Sequence, residues 1–219
     1  MKNKVLVIAV HPDDETLGCG GTLLKHKLNK DEVHWLICTT TDERHDYYEK
    51  REKEIEKVSK LYNFDTIHNL RLKTMQVDEY SMSELISKIS KVVYKIEPNI
   101  IYLPFKGDVH SDHRKIFEAA YSCTKSFRYP FIKKVYMMET LSETEFAPST
   151  KEDSFIPNIF VDISDFFDKK IEIMKIFESE IAEHPFPRSE KNLKALAIFR
   201  GASCGCEYAE SFMLLKEIL

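Results

Sequence analysis

Glycine, proline and cysteine are all scarce in this chain of 219 residues, which has 6 Gly, 8 Pro and 5 Cys. So little glycine and proline, without a repeat, excludes collagen-like and low-complexity chains. The odd number of scattered cysteines argues against a disulfide scaffold, so we expect free thiols and a cytoplasmic location. No apolar stretch approaches the roughly 18 residues that a membrane helix needs, so we expect no membrane span.

A surplus of positive charge is also missing. The formal net charge is -4, and phosphate-backbone binding requires a basic surface, so we expect no nucleic-acid partner. With 43% hydrophobic and 31% charged residues the composition is ordinary for a globular protein. A chain of this length buries one sizeable core, so we predict a single domain over residues 1–219. The oligomeric state stays open, a homo-oligomer included.

Apolar runs of strand length alternate with charged, amphipathic stretches of helix length. Continuous apolar runs are typical of parallel strands that are buried on both faces. The alternation predicts an α/β fold: a single-domain, Rossmann-like, mostly parallel, doubly wound sheet with helices on both faces. The predicted strands are 4–10, 33–40, 99–104, 132–138 and 158–163, and the predicted helices are 16–29, 44–62, 82–97, 110–126, 165–183 and 190–200.

Two motifs follow predicted strands at places where such sheets bind ligands. HPDDE occupies 11–15, after the strand at 4–10, and DVHSDH occupies 108–113, after the strand at 99–104. Ligands of doubly wound sheets bind beyond the carboxyl ends of the strands. Two imidazoles and a carboxylate from two strand ends can supply the three ligands of a catalytic zinc site. Each motif alone could be a helix start with capping or first-turn acids. Together, at these two places, they favour metal chemistry.

The two motifs, together with other residues along the chain, resemble the LmbE/PIG-L superfamily of zinc-dependent N-deacetylases. Two departures leave the substrate undefined: the second strand ends in TTTDER where the family often has T-x-G-E, and Tyr62-Asn63-Phe64 stands where Leu-Gly is common. The resemblance rests on HPDDE after Val10, TLGCGGT at 16–22, Arg51 and Glu54 as R-x-x-E, Pro104, HSDHR at 110–114, RGA at 200–202 and YAESF at 208–212.

The resemblance implies a role for each residue of the two motifs. By position, His11, Asp14 and His113 would bind Zn²⁺, with Fe²⁺ as the alternative in the cell. Asp13 would be the general base. His110 would stabilise the charged intermediate, for which we expect a cationic ring. The implied reaction removes the N-acetyl group from an N-acetylglucosamine-type sugar or sugar conjugate and releases acetate.

Four further residues are weaker candidates. Asp112 lies between the two histidines of the second motif and is suited to orient one of them, although an acid in the first helical turn explains it almost as well. The substrate-binding candidates are Arg51, Asp42 and Arg200, for which solvated or helix-capping roles stay open.

Three other functions compete with the deacetylase. An amidase that cleaves a larger acyl group from an aminosugar conjugate would use the same residues. A nucleotide-binding or glycosyl-transfer domain is disfavoured because the first turn carries metal ligands and no phosphate-binding loop. A structural zinc module is disfavoured by Asp13, because such a site is closed by four ligands and needs no additional carboxylate.

Overall fold

The computed structural model describes residues 2–41 and 46–219. This part of the chain forms one sheet of seven strands, six α-helices and a short 3₁₀ helix at Val77–Glu79. The strands are β1 (Lys4–Ala9), β2 (Glu32–Thr40), β3 (Thr66–Lys73), β4 (Ile100–Leu103), β5 (Lys134–Met138), β6 (Ile159–Asp162) and β7 (Ala209–Glu217). The helices are α1 (Asp14–Leu28), α2 (Tyr48–Tyr62), α3 (Met82–Ile96), α4 (Ser111–Ser122), α5 (Phe167–Met174) and α6 (Glu190–Cys204).

The strand order across the sheet is β3-β2-β1-β4-β5-β7-β6. The first five strands in this order are parallel to one another. β7 runs antiparallel to both of its neighbours, β5 and β6. The α/β prediction is therefore confirmed, and the sheet is mixed. The chain leaves β3 and returns on the other side of β1, so the strand order reverses between β1 and β4, where doubly wound folds bind their ligands.

Both faces of the sheet are covered, which explains why the central strands are continuously apolar. In β1, Val5 and Val7 join the core under α1, α2, α5 and α6. Leu6 and Ile8 point to the opposite face and join the core under α3 and α4. The prediction of helices on both faces is confirmed. No helix in the described ranges is long and apolar enough to cross a membrane.

Several predicted elements differ from the observed ones. β3 and β7 were not predicted as strands. The helix predicted over 165–183 ends at Met174, and turns and bends occupy most of the chain up to Ser189. The helix predicted over 110–126 ends at Ser122, whereas the one predicted over 190–200 continues to Cys204. The helix predicted over 44–62 begins at Tyr48, while residues 44 and 45 lie outside the described part.

Helix α1 is broken at Cys19, whose φ of -150° and ψ of 21° are not helical. A buried ion pair occupies the break. Lys170 Nζ donates to the carbonyl of Leu17 at 2.9 Å, and Glu210 Oε1 accepts from the amide of Gly21 at 2.9 Å. The two charged groups are 2.8 Å apart. A cation at the end of one helical segment and an anion at the start of the next both complement the helix dipole. Side chains of α5 and β7 thereby hold the helix that carries the first motif.

Candidate metal centre

The turn between β1 and α1 has a strained residue, Asp13, with φ 142° and ψ -26°. Such a conformation typically costs about 1–3 kcal/mol and persists only where its surroundings enforce it. Here the amide of Asp13 donates to Glu15 Oε2 at 3.1 Å. Its carbonyl accepts from the amides of Thr16 at 2.9 Å and Leu17 at 2.8 Å. The turn leaves the adjacent carboxylates of Asp13 and Asp14 in different surroundings.

Asp14 is held against the backbone of its own turn. Its Oδ2 accepts from the amides of Val10 at 2.9 Å and His11 at 2.8 Å. The same oxygen is 3.3 Å from His113 Nε2. Burial alone would raise the pKa of Asp14, but the neighbouring His113 and His11 hold it below its usual value. The carboxylate is therefore ionised and available as a cation ligand.

His113, fully buried in the first turn of α4, is oriented by a carboxylate behind it. Its Nδ1 donates to Asp108 Oδ2 at 2.8 Å, and Asp108 Oδ1 accepts from the hydroxyl of Thr144 at 2.7 Å. This arrangement fixes the tautomer and leaves Nε2 for a metal. Burial lowers the pKa of His113, but the charges of Asp14 and Asp108 outweigh it and raise the pKa above its usual value. An environment that stabilises a proton on the ring also suits a metal cation. Asp108 was not assigned a role from the sequence, although it begins the second motif.

His11 completes the group from the end of β1. Its Nδ1 is 3.3 Å from His113 Nε2 and 3.9 Å from Asp14 Oδ2. Its other nitrogen, Nε2, is 3.4 Å from Asp112 Oδ2. Asp112 Oδ2 also accepts from the amide of Met75 at 2.7 Å, which anchors it. Asp112 is thus in position to orient His11, whereas the sequence suggested that it orients one of the two histidines of its own motif.

The donor atoms of His11, Asp14 and His113 fit a tetrahedral metal site. Their separations are 3.3, 3.3 and 3.9 Å. An ion with ligand bonds of about 2.0–2.1 Å in tetrahedral geometry places its ligands about 3.3 Å apart. Two imidazoles and one carboxylate are the donor set of a catalytic site that keeps one position open. These are the three residues predicted as ligands, and that role stays a prediction.

His110 precedes α4 and caps it. The amide of Asp112 donates to His110 Nδ1 at 3.1 Å, so a neutral ring carries its proton on Nε2. Burial, followed by the charges of His11 and His113, lowers the pKa of His110 below its usual value. The cationic ring expected from the sequence is therefore disfavoured in this structure. A neutral ring that donates from Nε2 is the form its surroundings support.

A cleft of about 280 Å³ opens beside these donors. A larger cavity of about 610 Å³ is lined by the chain that connects α5 to α6 and by the start of α6, but its lining contributes no residue to a group of metal donors among the described residues. We assign the chemistry to the smaller cleft because the donors adjoin it. Its described lining consists of His11, Pro12, Asp13, Thr41, Arg51, Thr74, Met75, His110, Glu143, Glu180 and Arg188.

Arg188 is a site residue that the sequence did not indicate. Its Nη1 is 3.5 Å from Asp13 Oδ2, and its Nη2 donates to Glu180 Oε2 at 2.9 Å. Burial, followed by the charge of Asp14, raises the pKa of Asp13 well above its usual value, although Arg188 opposes this shift. Arg188 and Glu180 lie in the stretch of turns after α5, where no motif or periodicity singled them out.

Arg51 borders the cleft, but the protein occupies its guanidinium nitrogens. Nη1 donates to the carbonyl of Pro12 at 3.1 Å, Nη2 pairs with Glu180, and Nε is 3.4 Å from Glu54 Oε2. These contacts join α2 to the turn of the first motif. They favour a positioning role for Arg51 over the substrate contact expected from the sequence.

Arg200, another substrate-binding candidate, does not line the cleft. Arg200 donates to both oxygens of Glu139, at 2.9 and 2.6 Å. It borders a separate cavity that shares no lining residue with the cleft. Its position therefore gives no support to a substrate contact at the metal centre. Asp42 lies outside the described residues.

The chain is similar to a known protein family and to several known deacetylases. Residues 6–124 match the PIG-L family, described as GlcNAc-PI de-N-acetylase. A diacetylchitobiose deacetylase of Thermococcus kodakarensis is 27% identical over 98% of this chain and 84% of its own. A probable N-acetyl-alpha-D-glucosaminyl L-malate deacetylase 2 of Bacillus anthracis is 23% identical over 83% of this chain and 84% of its own. The solved N,N'-diacetylchitobiose deacetylase of Pyrococcus horikoshii superposes with a TM-score of 0.78 at 24% identity, covering 98% of this chain and 84% of that one.

Proposed function

Because this chain belongs to the PIG-L family, we propose that it is a metal-dependent hydrolase that removes the N-acetyl group from an N-acetylglucosamine-type sugar or sugar conjugate and releases acetate. One observation carries the proposal: the donors of His11, Asp14 and His113 converge beside a cleft that a fourth polar group, the carboxylate of Asp13, also lines. A purely structural metal site has no use for this additional carboxylate. The deacetylase relatives indicate the same reaction.

The ligands of the metal would be His11, Asp14 and His113, with Zn²⁺ as the ion and Fe²⁺ as the alternative. When bound, such an ion polarises the amide carbonyl and lowers the pKa of water toward about 7. Asp108 and Asp112 would support this centre by holding the rings of His113 and His11.

The remaining groups would handle the protons and the developing charge. Asp13 takes a proton from the water that attacks the acetyl carbon, and it returns the proton to the nitrogen as the C–N bond breaks. The products are acetate and the free amine. His110 donates from Nε2 to the carbonyl oxygen as that oxygen becomes negative, a kind of contact often worth about 3 kcal/mol. Arg188, 3.5 Å from Asp13, limits how far the pKa of this base rises.

Other aspects of the function stay predictions. An amidase that cleaves a larger acyl group remains the closest alternative, because the same residues would perform that reaction. The cytoplasmic location is a prediction from cysteine content, and the oligomeric state stays open.

Acetate release tests the proposal. Zinc-loaded protein should release acetate from N,N'-diacetylchitobiose or another N-acetylglucosamine derivative, and Asp13→Asn should not. A parallel series with N-butanoyl and longer acyl groups separates the deacetylase from the alternative amidase. Elemental analysis of the same samples should find about one zinc per chain, and much less in His113→Ala. Acetate release that is as fast in metal-free protein as in zinc-loaded protein would overturn the metal-dependent mechanism.

A further inference from the structure

Two groups in the wall of the cleft have an atom without a partner. Among the described residues, Glu143 Oε2 and Arg188 Nε are buried and make no hydrogen bond. Both residues line the cleft beside the metal donors. Unsatisfied buried polar atoms are uncommon in folded proteins and require an explanation. A ligand that supplies one donor and one acceptor would satisfy both atoms.

The main chain of Glu143 is fixed to the second motif. Its carbonyl accepts from the amide of Val109 at 3.2 Å, and its amide donates to the carbonyl of Thr140 at 3.1 Å. The next residue, Thr144, donates to Asp108, which holds His113. The loop that carries Glu143 is therefore coupled to the metal centre through hydrogen bonds.

Arg188 is fixed as well. Its Nη1 faces Asp13 at 3.5 Å, and its Nη2 donates to Glu180 at 2.9 Å. The guanidinium also lies 5.5 Å from the ring of Phe186. With these contacts in place, Nε remains as a donor held at the edge of the cleft. A sugar hydroxyl both donates and accepts, so ring hydroxyls match the free atoms of Arg188 and Glu143.

Apart from the proposed metal, the described side chains of the cleft offer no unpaired cation for an anionic substrate. Both guanidiniums, of Arg51 and Arg188, pair with Glu180, and Arg188 also faces Asp13. Glu143 adds no positive charge either, because a carboxyl is neutral or negative; burial raises its pKa to about 7. Recognition of a phosphate or carboxylate typically uses the planar fork of an arginine. In this cleft the two Nη atoms of each guanidinium already have partners: Pro12 and Glu180 for Arg51, and Asp13 and Glu180 for Arg188.

We propose that Glu143 and Arg188 bind ring hydroxyls of the substrate, and that the cleft takes an uncharged N-acetylglucosamine glycoside in preference to a conjugate with a phosphate or a carboxylic acid. The proposal rests on the proposed function and specifies its substrate class. The cleft volume of about 280 Å³ also favours a small group such as one sugar ring beside the metal donors.

The test compares Glu143→Ala with Glu145→Ala. Glu145 lies on the same loop, but its side chain accepts from the amide of Ser142 at 2.7 Å and does not line the cleft. On N,N'-diacetylchitobiose, Glu143→Ala should raise KM about tenfold or more with kcat little changed, as the loss of a substrate hydrogen bond does. Glu145→Ala should leave KM within about twofold, because it removes no contact in the cleft.

The unmodified protein should prefer the neutral disaccharide to N-acetylglucosaminyl malate and N-acetylglucosamine 1-phosphate by about tenfold or more in kcat/KM.

A binding measurement separates failure of this inference from failure of the proposed function. In zinc-loaded Asp13→Asn, calorimetry should detect the neutral disaccharide, and adding Glu143→Ala should weaken that binding about tenfold. Suppose that binding depends on Glu143 but the unmodified protein releases no acetate. That result would support the binding of substrate hydroxyls by Glu143 and contradict the deacetylase. Acetate release with an unchanged KM in Glu143→Ala would support the deacetylase and contradict the binding of substrate hydroxyls by Glu143. A preference for either anionic conjugate, or no binding of the neutral disaccharide, would overturn the inference.

Discussion

Asp13 and Asp14 are neighbours in the chain, yet their carboxylates are held in different ways. Asp14 accepts two backbone hydrogen bonds and lies against His113, whereas Asp13 lines the cleft and faces Arg188. The strained backbone of Asp13 separates them. A carboxylate bound to a metal is a poor proton acceptor, so two adjacent acids can divide the work of ligand and base.

We therefore predict different defects for two equivalent substitutions. Asp13→Asn should keep its zinc and lose kcat by about 100-fold or more, the scale of a general base. Asp14→Asn should lose zinc first, and excess zinc should restore part of its activity. Zinc content and kcat, measured side by side for both variants, check this. Metal-free Asp13→Asn, or an active zinc-loaded one, would contradict the division of roles.

A second prediction concerns Asp108, whose Oδ2 accepts a hydrogen bond from His113 and whose Oδ1 accepts one from Thr144. Loss of a carboxylate that orients a histidine ligand typically costs about 10–100-fold in metal affinity. We expect that loss in Asp108→Asn, measured by competition with a chromophoric chelator. Thr144→Val, which removes only the support behind Asp108, should show a smaller loss. Unchanged zinc affinity in Asp108→Asn would mean that the ring of His113 is oriented without it.

The sequence predicts the candidate site only where its residues lie in local motifs. The two motifs, one after β1 and one that runs into the first turn of α4, contain all three proposed ligands, Asp13 and His110. Glu143 and Arg188 lie on irregular chain between elements, and only the tertiary fold brings them to the cleft. Arg200 is the opposite case, because its motif position suggests a substrate contact, whereas in the structure its guanidinium pairs with Glu139.

At the scale of the elements, prediction works best for the buried centre of the sheet. β1, β2 and β4 are mostly apolar and are buried along most of their length because helices cover both faces. β3 is a peripheral strand with mostly exposed or half-buried side chains, so its polar sequence gives no continuous apolar signal. β7 follows the cap of α6 and pairs antiparallel with two strands. Its place is set by contacts distant in sequence, which local patterns do not contain.

The break in α1 supports a third prediction, on stability. Lys170 and Glu210 are both buried, and removal of one partner of a buried ion pair typically costs about 3–5 kcal/mol. We expect Lys170→Met and Glu210→Gln each to lower the free energy of unfolding by about that much, and the double variant by less than the two losses combined. Urea denaturation measures all three.

The exposed pair of Lys169 and Glu172 provides the matched control. Both residues lie on α5, as Lys170 does, and Glu172→Gln should change the free energy of unfolding by less than about 1 kcal/mol. Losses in Lys170→Met and Glu210→Gln that simply add would show that the two charges do not act as a pair across the break.

At the scale of the whole molecule, the candidate metal centre joins parts of the chain that are far apart in sequence. His11 and Asp14 come from the β1–α1 turn, and His113 comes from α4, about a hundred residues later. The two motifs meet because β1 and β4 are paired neighbours at the reversal of strand order. A metal bound there would connect the two halves of the sheet, and the unfolded chain would not present this arrangement.

Metal binding should therefore raise the melting temperature. A ligand that binds only the native state at about 1,000 times its Kd adds about 4 kcal/mol of stability. In a chain of this size each kcal/mol shifts Tm by about 2–4 °C, so zinc should raise Tm by about 10 °C over chelator-treated protein. His113→Ala should show little of this shift, because it lacks one ligand. The thiols of Cys204 and Cys206, whose sulfurs are 3.4 Å apart, could also bind zinc, so Cys204→Ser is measured in parallel and should keep the full shift. A shift that persists in His113→Ala and disappears in Cys204→Ser would assign the stabilising metal to the two thiols instead.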